Sequence, residues 1–204
     1  MASSWDESRT AFADAAEWFV RTAALVGDRW DRAGLGEWNV RALVGHTSRA
    51  LSTVETYLAR PAATVDITSV AEYFQANRAA AADAAVAARG RDAGTALGPD
   101  PAAAVARLAT RVLALVHGQN GTALVTTIAG GMRLADYLPT RTFELAVHTA
   151  DLATALEVPP DVPATAAAQA LAIVTELALA RGLAGPLLRA ATGRTGLPAS
   201  FSVL

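Results

Sequence analysis

The chain has 204 residues, a formal net charge of −2 and no cysteine. Its length suits one well-packed core with a small appendage, and its near-neutral charge, without a basic run, excludes a nucleic acid or an anionic membrane as partner. Because cysteine is absent, nitrogen and oxygen must hold any metal, and any reacting thiol must come from outside the chain.

Two helices are predicted in the first third of the chain. Residues 4–7 fit a capping box that opens the first helix, which ends near Gly27. This segment lacks the features of a secretory leader, and no run is long enough to cross a bilayer, so we expect a cytoplasmic protein. Asn39 is the predicted N-cap of the second helix, which runs to about Ala59 and carries His46 at the edge of its apolar stripe.

The middle of the chain alternates helices with glycine-rich segments. A third helix is predicted from Ser69 to Arg89, and residues 90–99, which include three glycines, are predicted to form a loop. Asp100 followed by proline predicts the start of a fourth helix, which runs to Val116. Residues 117–131 have β-branched residues flanked by glycines, which predicts an extended segment or a short hairpin.

The segment from Leu138 to Leu156 is apolar on almost every face, which predicts a buried central helix. Glu144, His148 and Asp151 fall along one line of that helix. A carboxylate and an imidazole buried together need partners, since an unpaired buried charge is strongly unfavourable, and a divalent cation is one such partner. A further helix over 164–179, a short piece at 187–191 and an irregular tail follow.

These elements predict an all-α fold, in which four long helices form a bundle with a long crossover connection, a short extended insert and a helical C-terminal cap. We place the bundle at residues 1–157 and a C-terminal helical extension, packed on the bundle in a single compact unit, at residues 158–204. Metal ligands in such bundles project inward from facing helices. His46, Glu144 and His148 would form a two-histidine, one-carboxylate set with one coordination position open.

Each candidate residue also has a structural interpretation. The E-x-x-x-H spacing is common in surface ion pairs and near hydrogen-bonded core histidines. His117 lies where a helix ends, which favours an interaction with the helix dipole over metal binding. Asp151 either accepts a hydrogen bond from an imidazole or pairs with an arginine such as Arg141. Arg78 either binds a substrate carboxylate or is a surface arginine.

Two motifs resemble a known family. Residues 38–46, WNVRALVGH, and residues 141–152, RTFELAVHTADL, are similar to the metal-binding domain of mycothiol-dependent maleylpyruvate isomerase, a member of the DinB-like four-helix-bundle superfamily. The resemblance implies that His46, Glu144 and His148 bind a divalent metal, zinc or alternatively nickel, with water at the open position. It also implies mycothiol as the cosubstrate.

The resemblance covers about residues 4–157, and residues 193–204 look like the tail of short actinobacterial members that lack the sterol-carrier-like second domain of the isomerase. It implies a mycothiol-utilising S-transferase or isomerase-like enzyme that activates a small thiol for attack on an electrophilic small molecule, with Arg78 and Asp151 as catalytic candidates. Two alternatives stay open. One is a metal-dependent hydrolase with Asp151 or Glu55 as general base, and the other is a non-catalytic metal-binding or sensing bundle that acts as a homodimer.

Overall fold

The computed structural model describes residues 4–81 and 84–204, and these ranges form an all-α bundle with one β-hairpin, which confirms the predicted fold class. In chain order the elements are α1 (Trp5–Ala24), α2 (Val40–Leu58), α3 (Val70–Ala81), α4 (Ala84–Ala96), α5 (Pro101–His117), β1 (Leu124–Thr127), β2 (Gly130–Arg133), α6 (Leu134–Ala155), α7 (Ala164–Ala180) and α8 (Ala184–Ala191). Within residues 4–81 and 84–204, no helix combines the length and the apolar character needed to span a membrane.

Side-chain caps fix the starts of three helices where the sequence predicts them. Ser4 and Glu7 form a reciprocal capping box, in which each backbone N–H donates to the other side chain. Asn39 and Asp100 each accept a hydrogen bond from the backbone N–H three residues further on, at the starts of α2 and α5. These bonds satisfy N–H groups that a helix start otherwise leaves unpaired.

Helices α1, α2, α5 and α6 enclose the main core. Its largest fully buried side chains include Phe12, Phe19, Leu43, Leu51, Tyr137, Leu138, Leu145 and Leu152. Helix α7 packs on α1 and α6, and a second apolar cluster joins it to α6 through Phe143, Ala146, Ala170, Ile173 and Leu177. The C-terminal extension therefore contacts the bundle through α7, while its boundary at residue 157 stays a prediction.

The predicted extended insert is an antiparallel hairpin in which Leu124 pairs with Arg133 and Thr127 with Gly130. The long connection between α2 and α3 lies along this hairpin, because Asp66 N–H and Ile67 N–H both donate to the carbonyl of Gly131. The hairpin thus holds the crossover connection in place and positions its own turn beside α3.

The helix predicted from Ser69 to Arg89 corresponds to α3 and α4, and its described residues from Val70 onwards are helical. Helix α4 runs past the predicted end at Arg89 to Ala96, and residues 82–83 lie outside the described residues. The glycine-rich loop predicted for residues 90–99 is accordingly wrong over most of its length, since Gly90 and Gly94 lie inside α4.

Close packing of α4 on α2 explains why these glycines are helical. A Cβ on Gly94 would lie 2.6 Å from the carbonyl oxygen of Arg41, and a Cβ on Gly45 would lie 2.1 Å from the backbone nitrogen of Gly94. Gly90 faces the indole ring of Trp38, and a Cβ on this glycine would lie 2.8 Å from the ring. The contact between the two backbones therefore outweighs the low helix propensity of glycine.

The central helix begins at Leu134 rather than at Leu138, and Pro139 lies inside it. Proline usually marks a helix start or stop because it lacks an N–H group. Here the N–H groups of Leu134 and Ala135 donate to carbonyls in the loop before β1, at Ala123 and Gly121. These tertiary hydrogen bonds hold a first turn that the sequence pattern does not indicate.

We expect Gly94→Ala to lower the free energy of unfolding by about 1–3 kcal/mol, because the new methyl group must displace the backbone of α2. Gly118→Ala is the matched control, since its backbone is already helical and its new Cβ would meet nothing closer than 3.6 Å. It should change stability by at most about 0.5 kcal/mol. Urea unfolding followed by circular dichroism measures both, and equal stabilities for the two variants would contradict the close α2–α4 contact.

Candidate metal centre

Three potential metal ligands from α2 and α6 meet in one cleft. Nε2 of His46 lies 4.0 Å from Oε2 of Glu144, and Nε2 of His148 lies 3.4 Å from the same oxygen. One ligand atom from each residue lies within 4.8 Å of the other two. Helix α6 supplies two of the donors one turn apart, and α2 supplies the third. The structure therefore brings together the three residues that the sequence nominates as ligands.

The spacing and chemistry of this donor set fit a divalent cation. Ligand atoms that bind a cation tetrahedrally at about 2.0–2.1 Å lie roughly 3.3 Å from one another. The three donor atoms would therefore need to move only slightly closer together to bind one cation. Nδ1 of His46 is buried, and among the described residues it has no hydrogen-bond partner. Its Nε2 is also too far from Glu144 for a hydrogen bond. A cation on Nε2 would give that nitrogen a partner, while Nδ1 would stay without one among the described residues.

Asp151 orients the ring of His148. Its Oδ2 lies 3.0 Å from Nδ1 of His148, one turn further along α6. With the Nδ1–H donated to this carboxylate, Nε2 faces Glu144 and the cleft, an arrangement that is common for metal-binding histidines. Of the two interpretations open for Asp151, the geometry favours the imidazole acceptor over the pair with Arg141.

Arg141 lies against two tyrosines instead. Its guanidinium is buried, donates a 3.2 Å hydrogen bond to the hydroxyl of Tyr73, and sits 5.4 Å and 5.0 Å from the ring centroids of Tyr73 and Tyr137. The charge of Arg141 thus lies in the cleft beside Glu144. Arg141 was not among the predicted site residues. Its position three residues before Glu144 on the same helix was a signal that it lies near the site.

These buried charges shift the pKa values of the three potential ligands. Burial alone raises the pKa of Glu144, but the hydrogen bond from His148 and the charge of Arg141 bring it down to about 2. Burial lowers the pKa of His148, but its hydrogen bonds to Asp151 and Glu144 raise it to about 9. Burial, with the nearby charge of His148, lowers the pKa of His46 to about 4. Without metal at neutral pH, Glu144 is ionised, His148 is protonated and His46 is neutral.

The cleft around these residues has a volume of about 350 Å³. Arg78 lines it from α3 with an exposed side chain. Trp38 also lines it and stacks on His46 with ring centroids 4.5 Å apart, while its Nε1–H donates to the carbonyl of Ala87 in α4. Trp38 is the first residue of the motif WNVRALVGH, but only the three-dimensional contact shows that its ring supports the imidazole of His46.

Two further residues considered from the sequence lie away from the donors. Both carboxylate oxygens of Glu55 accept hydrogen bonds from Arg111, at 2.9 Å and 3.2 Å, outside the cleft lining. This pairing disfavours Glu55 as the general base of a hydrolase. His117 is the exposed last residue of α5 and also lies outside the cleft lining.

The fold and the cleft define an all-α bundle with a two-histidine, one-carboxylate candidate metal centre. The chain belongs to the family described as "Mycothiol maleylpyruvate isomerase N-terminal domain", whose model matches residues 12–153. This membership confirms the family resemblance seen in the sequence and the DinB-like form of the bundle. No curated protein and no solved structure matches the chain significantly.

We expect His148→Ala to reduce the bound divalent metal from about one equivalent to near zero, because two remaining donors cannot hold the ion tightly. His117→Ala removes a histidine outside the cleft and should leave the metal content unchanged. Metal analysis of the purified variants, with circular dichroism to show that both are folded, measures this. Equal metal contents in the two variants would contradict the site.

We expect Asp151→Asn to weaken metal binding by about 10–100-fold, because the amide no longer provides a charged acceptor for the Nδ1–H of His148. Competition with a chelator gives the dissociation constant. Asp161→Asn, an exposed position before α7, controls for the loss of one negative charge. A similar weakening in both variants would mean that Asp151 acts only through overall charge.

Proposed function

We propose that this chain is a metal-dependent enzyme that uses mycothiol as cosubstrate, with His46, Glu144 and His148 holding the cation and zinc as the metal. The observation that carries the proposal is the convergence of these three donors within 4.8 Å in an open cleft. Membership of a family described by mycothiol and maleylpyruvate isomerase supports the choice of thiol and of reaction class.

The three donors leave room for a cosubstrate at the cation. When bound, the cation supplies a Lewis acid that lowers the pKa of a thiol, so that the nucleophilic thiolate is present at neutral pH. The chain itself contains no cysteine. The reacting sulfur must therefore belong to the small thiol.

The remaining residues of the cleft have positioning roles in this proposal. Asp151 holds the imidazole of His148 in the orientation that directs Nε2 to the cation. Arg78 binds a carboxylate of the electrophile from the exposed side of the cleft. Attack of the thiolate on a conjugated alkene, followed by bond rotation and expulsion of the thiolate, isomerises the alkene. Attack without expulsion, completed by protonation of the adjacent carbon, leaves an S-conjugate.

We expect the metal-loaded protein to accelerate a reaction of mycothiol with maleylpyruvate, which reports isomerisation, or with cyclohexenone, which reports S-conjugation. The rate should fall by about 100-fold or more in His148→Ala and stay unchanged in His117→Ala, because a bound cation contributes several kcal/mol to such a step. The S-conjugate is followed by mass spectrometry, and the isomerisation, which leaves the mass unchanged, is followed by chromatographic separation of the two isomers.

Other outcomes would overturn the proposal in distinguishable ways. Turnover of an ester without any thiol would identify a hydrolase. Tight metal binding without acceleration of either thiol reaction would identify a metal-binding or sensing bundle. Equal thiol-dependent rates in His148→Ala and His117→Ala would separate the chemistry from the metal centre.

A further inference from the structure

Four arginines from four helices surround the candidate metal centre. They are Arg49 of α2, Arg78 of α3, Arg89 of α4 and Arg141 of α6, and we call them the arginine wall. Among the described residues that line the cleft, Glu144 carries the only carboxylate side chain. A divalent cation at Glu144 would offset that negative charge as well. The side chains that line the cleft therefore carry more positive than negative charge, although the whole chain has a net charge of −2.

Within the described ranges, no carboxylate forms a salt bridge with Arg49, Arg78 or Arg89 of the wall. Several arginines outside the cleft, such as Arg107, also form no salt bridge there, so what distinguishes the wall is that its members meet in one cleft. Arg91, two residues after Arg89 on α4, binds Glu37 at 3.0 Å instead. Unpaired guanidinium groups that converge on one cleft repel one another. An oxyanion that accepts their hydrogen bonds would remove this repulsion.

Four further side chains of the cleft are apolar, and part of their surface is exposed to water. Phe74, Val86, Ile128 and Leu204 form what we call the apolar wall. Ile128 sits in the hairpin turn with 66% of its surface exposed, at a position where polar residues are usual. Leu204 is 48% exposed, and Arg181 holds its segment in place by donating to the carbonyls of Ser202 and Leu204. A ligand lying between the walls would cover these apolar side chains.

We propose that the electrophilic substrate is an amphiphilic carboxylate, with its carboxylate on the arginine wall and an apolar body on the apolar wall. The proposal rests on the proposed function, since it names the substrate class of the same cleft. A cleft of about 350 Å³ accommodates a small aromatic or branched aliphatic body next to the head group. Small, fully polar dicarboxylates such as maleylpyruvate would leave the apolar wall uncovered, so we expect them to report the reaction class as probes but to bind more weakly than the substrate.

Three probes separate the two walls. Cinnamate has a carboxylate and an apolar body, cinnamamide has the same body without the charge, and fumarate has two carboxylates without the body. We expect cinnamate to bind at least about tenfold more tightly than either of the others, because only it uses both walls. Isothermal titration calorimetry of the metal-loaded protein without thiol measures the three affinities. Equal binding of cinnamamide, or equal or tighter binding of fumarate, would overturn the proposal.

Single substitutions test which wall binds the carboxylate and which wall binds the apolar body. Arg89→Gln should weaken cinnamate by about tenfold and leave cinnamamide unchanged, and Ile128→Ser should weaken cinnamate while leaving fumarate unchanged. Arg107→Gln, an exposed arginine of α5 outside the cleft, is the matched control for loss of one positive charge. Equal losses in Arg89→Gln and Arg107→Gln would show only a general effect of charge and would contradict the arginine wall.

The outcome can be separated from that of the proposed function. The titrations need neither thiol nor turnover, and metal content is measured independently. If cinnamate binds through both its carboxylate and its apolar body but no thiol-dependent reaction is catalysed, the amphiphilic carboxylate is a ligand of the cleft and the proposed enzyme reaction is wrong. If mycothiol-dependent catalysis is found but cinnamate is not preferred, the proposed enzyme function stands and the proposed substrate class is wrong.

Discussion

The close approach of α2 to the helices on its two sides is the constraint on which the cleft depends. On one side, α2 packs on α4 through glycines, so that the backbones of Arg41 and Gly94 nearly touch. On the other side, it packs on α6 in the main core. His46 therefore has little freedom to move away from Glu144, and the ring of Trp38, itself pinned to α4 by a hydrogen bond, covers the imidazole. A metal centre assembled this way is preorganised by backbone packing rather than by its own ligands alone.

The buried charges of α6 are arranged so that each has a compensating neighbour. Arg141, Glu144, His148 and Asp151 alternate in sign along the same helix when His148 is protonated. This alternation stabilises ions that would be strongly unfavourable singly in a partly buried cleft. A divalent cation can replace the proton of His148 without leaving Glu144 or Asp151 uncompensated. The metal-free arrangement thus already contains the electrostatic balance that a bound cation requires.

The sequence predicted those features that depend on residues close together in the chain. The one-turn spacing of Glu144 and His148 and the capping residues are local, and the structure shows them as predicted. The place of His46 beside them was predicted from its position at the edge of the apolar stripe of α2 and from the bundle fold, and the family motif implied the same set. The helical course of Gly94 and the arrival of Arg89 in the cleft were not predictable, because both depend on a contact between α2 and α4. A glycine that permits such a contact looks the same in sequence as a glycine that breaks a helix.

The chain contains no cysteine, and its cleft has two unlike walls. Together these features indicate that a small thiol supplies the reacting sulfur while the protein binds and orients the substrates. If the nucleophilic sulfur comes from a small thiol, the protein must bring two separate molecules together at one cation, and binding energy must orient both. Both walls draw on α3 and α4, while the arginine wall also draws on α2 and α6, and the apolar wall on the hairpin turn and the C-terminal segment. An elongated ligand can therefore contact arginine and apolar side chains at the same time. A substrate held at both ends has little freedom to rotate, and its reactive carbon can be kept beside the donors of α2 and α6. Under this proposal, the arginine wall and the apolar wall select the substrate. His46, Glu144 and His148 hold the cation that activates the thiol.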